Sequence, residues 1–140
     1  MKQKLSVAIA TFNEEKNIED CLESVKWSDE IVVVDGTSTD KTCKIAKKYT
    51  NKVIITTNKP MFHINKNMAI DNCTSDWILQ LDADERVPEE LKEEILKVIN
   101  SNPEANGFLI KRKNYFLGKF LKKGGQYPDS VIRLFKKGKG

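Results

Sequence analysis

The sequence predicts a single α/β domain whose mainly parallel sheet is covered by helices on both faces. Three observations carry this expectation. Apolar runs of strand length alternate with helix-like segments across short turns, which builds right-handed βαβ units. Residues 31–34 form an unbroken β-branched run, the pattern of a strand covered on both sides. Residues 77–81, Trp-Ile-Leu-Gln-Leu, form an apolar run of strand length rich in large residues, which ends in two carboxylates, Asp82 and Asp84.

Residues 5–10 read as the first strand. A helix is expected over residues 16–25, with Ile18, Leu22 and Val25 on one face. The β-branched strand follows, then a helix near residues 41–49 and a strand at residues 53–56. A third helix over about residues 64–72 leads into the strand at 77–81. Residues 88–99 make a fourth helix, opened by Pro88-Glu89-Glu90 and presenting Leu91, Ile95 and Val98 or Ile99. Residues 108–110 and 131–135 are expected as later strands. No repeat, low-complexity segment or internal linker interrupts the alternation.

At 140 residues the chain is long enough for one domain with its own core. No stretch reaches the roughly 18 apolar residues that a membrane-spanning helix needs. The basic start at Met1-Lys2-Gln3-Lys4 lacks an apolar signal region, so secretion is not expected and a cytoplasmic protein is. Cys21, Cys43 and Cys73 are odd in number and lack metal-ligand spacing, so they are expected as reduced, packed thiols. The net charge of +4 hides an asymmetry: residues 111–140 hold ten basic residues against Asp129, or +9, and the other 110 residues carry −5. Such a basic segment can meet phosphates or an anionic membrane surface from the cytoplasmic side. A solvated basic surface is the alternative for any single lysine. Nucleic acid is not expected as a partner, because the aromatics Tyr115, Phe116 and Phe120 lack the spacing of a known recognition motif.

In an open parallel sheet, ligands bind outside the carboxyl ends of the strands. Three polar clusters fall there. Ala10-Thr11-Phe12-Asn13-Glu14 follows the first strand, where Phe12 can stack on a base and Glu14 can accept from ribose or base; a plain helix start with Asn13 as cap is the other reading. Asp35 closes the second strand and can accept from a base N–H, while Ser38, Thr39 and Asp40 read as a turn and helix cap. Asp82 and Asp84 repel each other, and a phosphate ligand would worsen that, so their spacing suggests a divalent cation holding a diphosphate; taken alone, such a pair more often starts a turn or caps a helix. His63, beside Phe62, reads as packing or surface.

Taken in order, these residues resemble glycosyltransferase family 2, whose members have the Rossmann-like GT-A fold. The resemblance runs over residues 5–91, with a second patch at 127–135. It rests on Ser6-Val7 through Phe12-Asn13-Glu14, Ile31 to Asp35 with Ser38-Thr39-Asp40, Lys66-Asn67 ahead of Ala69, and Leu81-Asp82-Ala83-Asp84. It implies a nucleoside-diphosphate sugar, UDP-linked by preference, bound through Thr11, Phe12, Glu14, Asp35, Lys66 and Asp82. It also implies Mn2+ or Mg2+ on Asp84 and Asp82, and inverting transfer to a glycan or lipid-linked acceptor. Tyr127-Pro128-Asp129 with Arg133-Leu134-Phe135 is similar to a subgroup that includes lipopolysaccharide-core β-glucosyltransferases, which implies cell-envelope polysaccharide synthesis. There Asp129 is the expected general base, with a Pro-Asp turn as its structural alternative.

The departures are specific. Ala10 stands where the family often has Pro, Gly36 where it often has a second Asp, and Lys66 where Arg is usual. Lysine lacks the bidentate fork, which weakens the expected donor contact at Lys66. Family members are usually longer, so a truncated or non-catalytic nucleotide-sugar-binding module is the alternative function. A haloacid-dehalogenase phosphatase is excluded, because Val33 occupies the position of the nucleophilic Asp.

Overall fold

The computed structural model describes residues 3–57, 62–101, 103–111, 116–119 and 130–138. Among them the elements run β1 (Leu5–Thr11), α1 (Ile18–Glu23), β2 (Glu30–Asp35), α2 (Thr42–Ala46), β3 (Val53–Ile55), α3 (Phe62–Asp71), β4 (Trp77–Asp82), α4 (Glu89–Asn100), β5 (Gly107–Lys111), β6 (Phe116–Lys119) and β7 (Ser130–Lys136). One sheet holds all the strands in the order β3-β2-β1-β4-β7-β5-β6. β3, β2, β1 and β4 are parallel; β7 inserts antiparallel between β4 and β5, and β6 pairs antiparallel with β5.

Alternation along the strands divides the core into two layers. Leu5, Val7 and Ile9 of β1, Ile31 and Val33 of β2, and Trp77, Leu79 and Leu81 of β4 face one side. There they pack on Ile18, Cys21 and Leu22 of α1 and on Leu91, Ile95 and Ile99 of α4, with Ala46 of α2. Ala8, Val32, Val34 and Ile78 face the other side and meet Ala69 of α3, with Cys73 and Phe135. The β-branched run of β2 is therefore covered on both faces, as its sequence requires.

The boundaries shift where local hydrogen bonds override the apolar pattern. α1 starts later than expected, because the Glu14 carbonyl first collects the amides of Asn17 and Ile18 in a turn. α2 ends at Ala46, and the chain tightens into i→i−3 bonds from Lys48 to Ile45 and from Tyr49 to Ala46. α3 begins two residues earlier than expected, at Phe62. β6 carried no readable signal: four residues containing Gly118 present no alternation. Among the described residues no helix is long and apolar enough to cross a membrane.

Candidate functional site

Strand register decides what meets at the carboxyl edge. Thr11 lies opposite Asp35, and Ala10 lies opposite both Val34 and Asp82. The ends of β2, β1 and β4 thus place Asp35, Thr11 and Asp82 on one rim, with Asp84 just beyond.

Asp35 is fully buried. Its Oδ1 accepts from the hydroxyls of Thr11 (2.7 Å) and Ser38 (2.6 Å), and its Oδ2 accepts from the Ser38 amide at 2.7 Å. The Cys43 thiol lies close enough to lower its pKa further. Burial alone would raise its pKa, but the hydrogen bonds from the Ser38 side chain and backbone, then Thr11 and Cys43, outweigh that and hold the carboxyl below its ordinary value. Three hydrogen bonds and the neighbouring thiol surround the carboxylate. The thiol is the weakest of these partners. That thiol is itself pushed up to about 11 by burial and by Asp35.

The loops after β1 and β2 are knitted together. The Asn13 amide donates to Ser38 Oγ at 2.7 Å, and the Thr39 amide donates to Asn13 Oδ1 at 2.9 Å. Asn13 is thus a loop clasp and not a helix cap; Asn17 precedes α1. Two side-chain-bearing residues here have left-handed backbones, Asn13 (φ 51°) and Thr37 (φ 68°). For the β-branched Thr37 this is strained, and its hydroxyl is anchored on the Thr56 carbonyl. Phe12 is half-buried at the same rim. Glu14 is half-buried too; its carboxylate accepts from Asn17 Nδ2 at 3.0 Å and its amide donates to Thr42 Oγ1 at 2.9 Å. Asp40 Oδ1 accepts from the Thr42 amide at the start of α2, the structural role expected for this turn.

Asp82 is half-buried. Its Oδ1 lies 3.1 Å from Lys66 Nζ on α3 and 3.3 Å from Gln80 Nε2. Its amide donates to Glu85 Oε1 at 2.8 Å, and the Glu85 amide returns a bond to the Asp82 carbonyl at 2.9 Å. Glu85 is only 4% exposed, so a buried carboxylate pins the turn that carries Asp82 and Asp84. Asp84 is exposed and makes no hydrogen bond or ion pair among the described residues. Beneath the turn the Cys21 thiol donates to the Asp82 carbonyl at 3.6 Å. Burial, then Glu85, Asp84 and Asp82, keep that thiol protonated.

Asp82 and Asp84 offer hard oxygen donors only. Among the described residues no set of three or more His, Cys, Asp or Glu side chains is assembled to hold a cation alone. Two carboxylates at an open rim match Mg2+ or Mn2+, which keep waters and take substrate phosphates as the remaining ligands. The donor set therefore fits the implied ion.

Asp129 and the Tyr127-Pro128 pair lie outside the described residues, as does much of the basic C-terminal segment. Of that segment, Lys136 has a local role: its Nζ donates to the Pro103 carbonyl at 2.8 Å and lies 5.8 Å from the centre of the Trp77 ring. His63 is exposed, and Cys21 and Cys73 are buried free thiols. Glu85 and Gln80 join the site without an expectation from sequence, and Cys43, expected as a packed thiol, lies beside Asp35. Gln80, a polar residue inside an apolar strand, and Glu85, three residues after the strand's last carboxylate, were the available signals.

The profile of Glycosyl transferase family 2 matches residues 6–137. The chain is 31% identical over 99% of its length to the lipopolysaccharide core biosynthesis glycosyltransferase LpsC of Rhizobium meliloti, covering 53% of that protein. It superposes with a TM-score of 0.71 on a Pyrobaculum calidifontis mannosyltransferase bound to GDP-Man and Mn2+, at 20% identity, covering 97% of this chain and 45% of that one. With Staphylococcus aureus TarS bound to UDP-GlcNAc the TM-score is 0.65, at 23% identity over 96% of this chain and 45% of the other. These structural likenesses establish the GT-A fold. The chain spans about half the length of the relatives it matches.

Proposed function

The chain belongs to glycosyl transferase family 2, and from that premise we propose that it transfers a sugar, with inversion, from a nucleoside-diphosphate donor to a glycan or lipid-linked acceptor of the cell envelope. The observation that carries this reading is the delivery of Asp82 and Asp84 by β4 to the rim where β1 ends in Thr11 and β2 in Asp35. Donors of this class are bound by the structural relatives, UDP-GlcNAc by TarS and GDP-Man by the mannosyltransferase. The envelope role is suggested by the LpsC relative.

In this reading Phe12 stacks on the base. Asp35 meets the base edge by exchanging the Cys43 thiol. Asp82 and Asp84 would hold Mn2+ or Mg2+, and Lys66 would face the phosphates. The bound ion supplies charge stabilisation to the leaving diphosphate. The acceptor oxygen forms a bond to C1 as the bond from C1 to the diphosphate oxygen breaks, and that electron pair leaves with the nucleotide. The acceptor proton passes to a carboxylate, for which Asp129 is the candidate. The basic C-terminal segment provides contact with an anionic acceptor or with the cytoplasmic face of a membrane.

The test is donor turnover: the chain is incubated with Mn2+ and UDP-glucose, UDP-GlcNAc or GDP-mannose, and nucleotide release and product anomer are followed by NMR. Release with inverted configuration supports the transferase. Binding of a donor without release, even to water over long incubation or to an added glycan acceptor, supports a nucleotide-sugar-binding module. No binding of any donor contradicts both.

A further inference from the structure

Asp82 and Asp84 sit two residues apart, yet their surroundings differ. Lys66 Nζ lies 3.1 Å from Asp82 Oδ1, and the Gln80 amide points at the same oxygen from 3.3 Å. Asp84 is exposed and unpaired among the described residues. The Lys66–Asp82 pair is itself about one-third open, with side-chain exposures of 35% and 30%. Pairs this exposed are weakly held and screened, and a lysine ammonium on a four-carbon stem swings readily between anions.

Resting on the nucleotide-site reading above, we infer that Lys66 is an internal counter-ion that competes with the divalent cation for Asp82 and is drawn off by the phosphates of the nucleotide. A divalent ion arriving alone finds Asp84 free, but must displace an ammonium from Asp82 and then lie beside it. A nucleoside diphosphate brings negative charge enough to receive both the ion and Lys66. Cation and nucleotide therefore bind with positive cooperativity, and linkage makes the coupling reciprocal. Lys66 projects from α3, which packs on β1, β2 and β4, so the helix fixes its stem while the ammonium moves.

The test titrates Mn2+ into the full chain, following free Mn2+ by electron paramagnetic resonance with and without UDP or GDP. In the unmodified chain, nucleotide should tighten Mn2+ by tenfold or so, a typical coupling between sites. K66Q should bind Mn2+ about three- to tenfold more tightly in the absence of nucleotide, the scale of a one-third-exposed ion pair plus the relieved repulsion. Its nucleotide-induced gain should shrink. K66M serves as a second neutral variant, with folding checked by circular dichroism, and K66R should keep the weak nucleotide-free binding. Unchanged or weaker nucleotide-free Mn2+ binding in both neutral variants, with nucleotide binding intact in the unmodified chain, overturns the Lys66 exchange alone. An unmodified chain that binds neither UDP nor GDP with Mn2+ overturns the nucleotide site and this inference with it.

Discussion

Glu85 holds the amide of Asp82 at 2.8 Å and returns its own amide to the Asp82 carbonyl at 2.9 Å, closing the turn that presents the two carboxylates. Because Glu85 is buried, that clasp is dry. Glu85→Ala leaves the Asp82 amide without its acceptor and should destabilise the fold by about 1–3 kcal/mol. Glu85→Gln keeps an acceptor oxygen and should recover most of the nucleotide-dependent Mn2+ binding. Urea unfolding and Mn2+ titration measure the two effects separately. Equal Mn2+ binding in both variants would make Glu85 a packing residue only.

Asp35 accepts three hydrogen bonds, from Thr11 and twice from Ser38, and removing it strands the donors in a buried site. Asp35→Ala should cost about 2–4 kcal/mol in stability, from several unsatisfied groups at once, and should weaken nucleotide binding as well. Cys43→Ala removes only the neighbouring thiol and opens space beside Asp35. It should leave stability within about 1 kcal/mol and hold or improve nucleotide affinity. Loss of nucleotide binding in Cys43→Ala, measured by calorimetry, would count against exchange of the thiol for a base N–H.

At the opposite edge Glu30 gathers Ser6 Oγ (2.6 Å), the Thr74 amide (2.8 Å) and the Lys52 ammonium. Burial pushes its pKa up, but the bonds from Lys52, Ser6 and Thr74 win and bring it from 4.5 down to about 2. A folded-state value below the unfolded one gives stability that is fully present above about pH 4.5 and is lost as pH falls towards 2. Unfolding free energy should decline over that window by up to about 3 kcal/mol from this group. Glu30→Gln should flatten part of the slope, leaving the contribution of Asp35, whose carboxyl is also held low. An unchanged slope in Glu30→Gln would remove Glu30 from the acid response.

The three thiols are all pushed up, chiefly by burial: Cys43 to about 11, Cys73 to about 12, and Cys21 further still. Thiolate is the reactive form, so the native protein should resist iodoacetamide at pH 8 and take up three equivalents once unfolded. Mass spectrometry reads this directly. Fast modification of the native protein would show that the site around Cys21 or Cys43 opens in solution.

Much of this was legible in the chain. The β-branched run at residues 31–34 and the alternation around it dictate a parallel sheet, and the residues at strand ends dictate which edge is polar. Three features were not legible. The insertion of β7 between β4 and β5 is a long-range pairing with no local pattern. The saturation of Asp35 depends on Cys43 and Ser38 folding back onto it, which spacing alone does not reveal. The clasp at Glu85 was visible only as one more acid in Asp-Ala-Asp-Glu, because burial, and not residue type, makes it an acceptor for the turn.

The most direct test of the account is thermal denaturation with UDP or GDP, with Mn2+ or with EDTA, in the unmodified chain and in Asp84→Ala. A ligand at a hundred times its Kd stabilises by about 2.7 kcal/mol, a shift of several degrees for a domain of this size. That shift is expected only when nucleotide and Mn2+ are both present, and is expected to be lost in Asp84→Ala. Equal stabilisation by nucleotide in EDTA, or an undiminished Mn2+-dependent shift in Asp84→Ala, would contradict a nucleotide site bridged by a cation on Asp82 and Asp84.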